Sequence, residues 1–145
     1  MTNQHLKDIP ESILLEAQCS IQDQLEVYYL VEYFAEAQHL SRTFGALSLE
    51  ELTPPPPTYL DILQQLILDG RSPEIIEEVS YHMIAAKDRG KTLFQALIIH
   101  LGVKCILQRV SVDECLQILH SIFSPELQDP MIAKKRWVTR HKETQ

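Results

Sequence analysis

The stretch VYYLVEYFAEA (residues 27–37) is apolar on nearly every face that a helix could present. Tyr28, Tyr29, Leu30, Val31, Tyr33 and Phe34 are six residues within seven. At about 3.6 residues per turn they wrap the whole circumference of a helix. Such a helix has no solvent side of its own. It belongs in the middle of a bundle or at an obligate interface, so either the chain that follows or another chain must surround it.

Outward from this stretch, helix punctuation is legible in both directions. Apolar residues run from Ile13 to Phe44, and Gly45 provides a stop. That span is long for one globular helix. Ser20 followed by Asp23 has the spacing of a cap, so a break near Cys19–Ser20 is expected. Asp8 and Glu11 stand at capping-box spacing, with Pro10 early enough in the helix to be tolerated. Downstream, Ser48 with Glu51 suggests a short helical turn, and PPPP (54–57) follows as an extended spacer without amide donors.

Thr58 and Asp61 then open a helix that Gly70 stops, and Ser72-Pro73-Glu74 opens another that runs to about Lys87. Thr92 with Gln95 and Ser111 with Glu114 cap two more. Ser124-Pro125-Glu126 and Asp129-Pro130 repeat the start signal. No segment alternates with period two between turn signals. The reading is all-α, a compact bundle of about six to eight helices. Residues 1–145 form a single helical domain, in which a front helical unit (1–53) is joined by the proline spacer (54–57) to a helical bundle (58–130) and a basic tail (131–145). A strand pair in LIIHLGVKCIL (97–107) is the competing assignment, because short apolar runs are ambiguous by period alone.

With 145 residues, 45% of them hydrophobic and 23% charged, the chain can bury a real core and is not compositionally disordered. No apolar run approaches the roughly 18–20 residues needed to span a bilayer, and MTNQHLKDIPES is not ordered as a secretory signal. Cys19, Cys105 and Cys115 are odd in number and lack CxxC spacing, which fits reduced thiols in a cytoplasmic protein. Charge is segregated. Residues 1–86 hold three basic and fourteen acidic side chains, for −11, and residues 87–145 hold ten basic and six acidic, for +4. The acidic half is unsuited to nucleic acid, whose binding needs clustered cations.

Signals for chemistry are sparse. Glu36 and His39 have the i, i+3 spacing of carboxylate–imidazole pairs in di-iron bundles, but that chemistry needs a second such pair and two more glutamates. Glu78 and His82 are four apart and do not repeat the spacing. The six histidines and three cysteines show no zinc pattern. Cys115 and His120 could meet on one helix, yet nothing marks an orienting third group. Neither a phosphate loop nor a nucleophile elbow is present. ALIIHLGVKCILQRV (96–110) looks superficially like a helix-turn-helix. Ile98 and Gln108 sit where that motif wants a small and an apolar residue, so a helix with an internal glycine is the better reading. No catalytic residue, metal or cofactor is assigned.

The segment KKRWVTRHK (134–142) interleaves cations with an aromatic: Lys134, Lys135, Arg136, Arg140 and Lys142 surround Trp137. It suits an acidic protein groove with Trp137 as anchor, or nucleic acid held by phosphate contact and stacking. By elimination, the expected function is a non-catalytic protein–protein interaction protein: an adaptor, a small chaperone-like subunit or an inhibitor. Its partner-binding residues would be Tyr28, Tyr29, Tyr33 and Phe34 in the front unit and Lys134, Lys135, Arg136, Trp137 and Arg140 in the tail. A protein partner or homo-oligomer is implied, with no membrane span. A nucleic-acid-associated regulator acting through the basic tail comes second, and an enzyme built on a helical cavity third. Deleting residues 131–145 should cost little stability while abolishing partner binding, and Trp137→Ala alone should weaken binding by about 2 kcal/mol or more. A denaturation curve and a binding isotherm read the two effects. Unfolding on truncation would make the tail part of the core.

Overall fold

Ser20 caps a helix, as its spacing predicts: its Oγ accepts the Asp23 amide proton at 3.0 Å. The computed structural model describes residues 9–87 and 89–128. Among these residues there are seven α-helices and no strand. They are α1 (Glu11–Glu16), α2 (Ile21–Glu26), α3 (Tyr29–Phe44), α4 (Thr58–Leu68), α5 (Pro73–Ala85), α6 (Lys91–Gln108) and α7 (Val112–His120). Short 3-10 turns cover Ala46–Glu51 and Pro125–Leu127.

Two further caps form where the sequence places them. Ser72 Oγ accepts the Ile75 amide at 3.4 Å, with Pro73 opening α5. Ser111 and Glu114 complete a reciprocal capping box at 3.1 and 3.3 Å. Each cap is worth about 1 kcal/mol. Gly70 closes α4 in the left-handed region, with the Arg71 amide reaching back to Leu66 and the Gly70 amide to Ile67.

Other boundaries differ from expectation. Pro10 lies just outside α1 rather than within it, and Asp8 lies outside the described residues. Thr58 is the first residue of α4 rather than its cap, because extended Pro57 already delivers the chain at the entry angle. Gly90, not Thr92, precedes α6; its φ of +70° turns the chain, and its amide bonds to the Glu16 carbonyl at 2.8 Å. Ser124-Pro125 opens only a single 3-10 turn, and Asp129-Pro130 lies outside the described residues. The apolar run 13–44 breaks at Cys19–Ser20 as expected and again at Val27–Tyr28. There the amides of both residues bond back only three positions, to Gln24 and Leu25.

LIIHLGVKCIL is one continuous helical stretch, not a strand pair. Within α6, Leu93, Phe94 and every residue from Ala96 to Ile106 are buried. The helix is therefore sheathed: α3, α5 and α7 pack on it, and α2 touches it. Gly102 explains how α3 comes so close. A Cβ there would lie 2.4 Å from Cγ of the Phe34 ring, inside any real contact distance. The ring of Phe34 thus occupies the space that a side chain at 102 would need.

One hydrophobic cluster runs from Ile9 through Leu49 and Leu60 to Phe123, so residues on both sides of the prolines share a core. The four prolines do not hold two units apart. They lie along α3, where Tyr29 Oη donates to the Pro56 carbonyl at 2.6 Å. The chain itself surrounds the 27–37 stretch, which leaves no need for a second chain to do so.

Gly102→Ala measures this crossing. In an exposed helix the exchange would stabilise by about 1 kcal/mol. Here overpacking should destabilise by about 2–3 kcal/mol in chemical denaturation. Combined with Phe34→Leu, the loss should be smaller than the two single losses added, because the second change vacates the space that the first one needs.

Candidate functional site

The sequence-derived partner residues have separate fates. Phe34 rests on Gly102 in the centre of the core. Tyr28 is buried, its Oη 2.7 Å from His120 Nε2 and its ring set edge-on to Phe123. Tyr33 is buried with Oη donating to Gln64 Oε1, and only Tyr29 is half-buried. Tyr28 and Phe34 therefore face their own chain rather than a partner. Lys134, Lys135, Arg136, Trp137 and Arg140 lie outside the described residues.

Tyr29 and Tyr33 do meet, in an open groove of about 350 Å³ lined by Tyr29, Glu32, Tyr33, Glu36, Leu52, Thr53 and Pro55. The four α3 residues stand at i, i+3, i+4 and i+7, which is one strip of a helix. The facing wall is the extended segment that enters the prolines. Buried Gln64 fastens that wall: its Nε2 donates to the carbonyls of Leu49 at 3.1 Å and Leu52 at 3.0 Å while its Oε1 receives Tyr33. Tyr29 Oη fastens the far end through Pro56 and also accepts from Gln95 Nε2 at 3.2 Å. Both hydroxyls are thus committed, and the rings serve as walls. The sequence reading missed Gln64, because a glutamine inside a helix reads as a solvated side chain. Its i, i+4 neighbours Leu60 and Leu68 were the available sign of an inward face.

The groove is acidic. Glu32 and Glu36 stand one turn apart on its α3 side, and Asp61 is close enough for its charge to add to burial in pushing the Tyr33 phenol well above its ordinary value. Burial, with a smaller contribution from Tyr29, pushes Tyr59 up to about 12. The Lys87 ammonium lies 5.0 Å from the centre of the Tyr59 ring. None of the lining residues is a lysine or arginine.

A second cleft, of about 470 Å³, lies between Leu14–Cys19 and Ile122–Pro125 over Phe94 and Leu97. Gln24 ties its rim, donating to the Cys19 carbonyl at 2.9 Å and Ser124 Oγ at 2.8 Å and accepting the Ser124 amide at 2.8 Å. Burial, then the nearby Asp23 charge, raises the Cys19 thiol above its ordinary pKa, which is opposite to what an activated nucleophile needs. Cys115 is raised as well, first by a hydrogen bond with Cys105 and then by burial, while His120 faces Tyr28. The two side chains that could have met on α7 point to different neighbours. No group of three or more His, Cys, Asp or Glu side chains able to hold a metal occurs among the described residues. Nor is any described helix long and apolar enough to cross a membrane. Comparison of the chain with protein-family models, with curated proteins and with solved structures finds no match.

The raised phenols carry a pH signature. A folded-state pKa above the unfolded value of about 10 means that the native state holds its proton longer. This contribution to stability is fully present below pH 10 and is lost as pH rises through about 12 for Tyr59. In an absorbance titration at 295 nm, Tyr59 should ionise near pH 12 and Tyr33 later still or only on unfolding. Tyr33→Phe should remove the latest step. A single transition near pH 10 for all five tyrosines would contradict the geometry.

Proposed function

We infer that this protein is a non-catalytic interaction protein, and that its partner docks along the outer strip of α3. The observation that carries this reading is the α3–proline groove. It is open, its walls are braced by hydrogen bonds from Gln64 and Tyr29, and it presents tyrosine rings and carboxylates rather than a reactive pair. Aromatic rings flanked by polar groups form anchor pockets in protein interfaces, because a large side chain can be desolvated there at little entropic cost. Two exposed apolar side chains follow the strip in sequence. Phe44 is 71% exposed and Leu47 is 70% exposed, on either side of Gly45. Neither contributes to the core, so their burial remains available to a complex at about 25 cal/mol per Å².

Thr53→Arg tests the reading. Thr53 is exposed on the groove wall, and an arginine there would place a cation of the chain's own beside Glu32 and Glu36. Full-length wild type should retain a stoichiometric protein from a lysate of its own cells, as should Gln117→Arg, a surface change on α7. Thr53→Arg should lose it while keeping the wild-type circular dichroism spectrum. A wild-type chain that retains no stoichiometric protein, or a Thr53→Arg chain that retains it equally, rejects the reading.

A further inference from the structure

The cleft of about 470 Å³ beside Cys19 combines an apolar floor with polar walls. Phe94, Leu97 and Phe123 are buried within it, while Gln18 and Ser121 line it and are exposed. None of the residues lining the α3 groove lines this cleft. We propose that its occupant is the chain's own segment 131–142, docked with the Trp137 side chain in the cleft and the neighbouring cations along its acidic rim. Docking within the chain makes the segment's recognition chemistry conditional. An acidic partner that takes the cations must first draw the indole out, and its apparent affinity falls in proportion to the docked fraction.

Position, side-chain chemistry and charge all favour this occupant. Gln128 Nε2 donates to the carbonyls of Ser121 and Phe123, so the chain leaves the described residues at the cleft itself. Trp137 follows nine residues later, and nine residues reach up to about 30 Å, ample for a return into the cleft. The segment offers Met131, Ile132, Trp137 and Val138, whereas residues 1–8 offer only Met1 and Leu6 as large apolar side chains. An indole, apolar in body with one N–H at its edge, suits a cleft with an apolar floor and polar walls. Glu16 and Glu126 are exposed and adjoin the lining residues Ala17 and Pro125, and the Asp23 charge acts on Cys19. Lys91, the cation acting on Cys19, is paired with Glu26. Residues 1–128 hold eight basic and eighteen acidic side chains, against five and two in residues 129–145. Opposite charges of this size steer the segment onto the rim.

Trp137 is the chain's one tryptophan, and Cys105 and Cys115 are fully buried. Indole fluorescence and the thiol of half-buried Cys19 therefore report on the two sides of the contact. In the full-length chain the emission should lie to the blue of that of a free peptide of residues 131–142, at every protein concentration. Deleting residues 131–145 should speed reaction of Cys19 with an aromatic disulfide reagent about tenfold, the change for a cleft docked about nine-tenths of the time. Cys105 and Cys115 should stay unreactive, and adding the peptide back should slow Cys19 again, less so as salt rises. Gln18→Arg places a cation on an exposed lining position and should move the emission to that of the free peptide, with circular dichroism unchanged. Gln117→Arg, exposed on α7 and outside the lining, should leave the emission blue. Emission equal to the peptide's in the intact chain, or a Cys19 rate unchanged by truncation, overturns the proposal and opens the cleft to another molecule. Blue emission that survives Gln18→Arg seats Trp137 elsewhere and overturns the choice of cleft, a result that stands even if truncation unfolds the chain. Emission that moves to the red on dilution, as a dimer dissociates in light scattering, assigns the cleft to a second copy's segment and overturns docking within one chain.

Discussion

The ring of Phe34 lies where a side chain at position 102 would have to be, and the rest of the bundle is arranged around that contact. Glycine costs helix stability, yet at the crossing of α3 and α6 it removes the one carbon that would hold the two helices apart. Leu30 and Phe34 of α3 and Leu97, Ile98 and Leu101 of α6 are almost fully buried. α5 and α7 then close over the remaining faces of α6. A fully sheathed helix must satisfy its polar side chains internally. His100 does so against Ser80 Oγ at 2.6 Å, and Lys104, only 3% exposed, reaches Glu77 at 3.9 Å.

Three buried glutamines extend the same logic to the helix ends. Gln24 holds Cys19 and Ser124, Gln38 holds the carbonyls of Cys105 and Val110, and Gln64 holds Leu49 and Leu52. Each spends its amide on backbone carbonyls near helix ends, and Gln24 also on the Ser124 hydroxyl. At the turn between α6 and α7 this support is concentrated. Arg109 adopts a left-handed conformation with φ of 58°, its carbonyl accepts from Arg42, and Gln38 grips the residues on either side. The turn is thus secured by α3, the helix that also presents the groove.

Structure and candidate function therefore share one element. The inward faces of α3 carry Leu30, Phe34 and Gln38 into the bundle, and its outer strip carries Tyr29, Glu32, Tyr33 and Glu36 along the proline wall. Tyr33 belongs to both, because its buried hydroxyl fixes the wall while its ring lines the groove. A rigid helix holding a side-chain strip against an equally fixed wall is a preorganised surface, and preorganisation lowers the ordering cost of binding.

Ser20, Ser72, Ser111 and Gly70 show what the sequence by itself determined. Capping and left-handed termination are local, need only a few neighbouring residues, and so leave a readable spacing. The all-α class and most helix positions follow from them, and the all-round apolar character of residues 27–37 requires that something surround that stretch. Which residues surround that stretch was decided only in three dimensions. An all-round apolar helix is satisfied equally by its own chain or by another, and the choice depends on Phe34 meeting a glycine 68 positions away. The prolines likewise read locally as a spacer, because fixed φ and missing donors are local properties. Only the distant hydroxyl of Tyr29 and the amide of Gln64 turn that segment into one wall of a groove. Burial of a glutamine and the setting of that wall against the α3 strip are long-range facts, and no spacing along the chain encodes them.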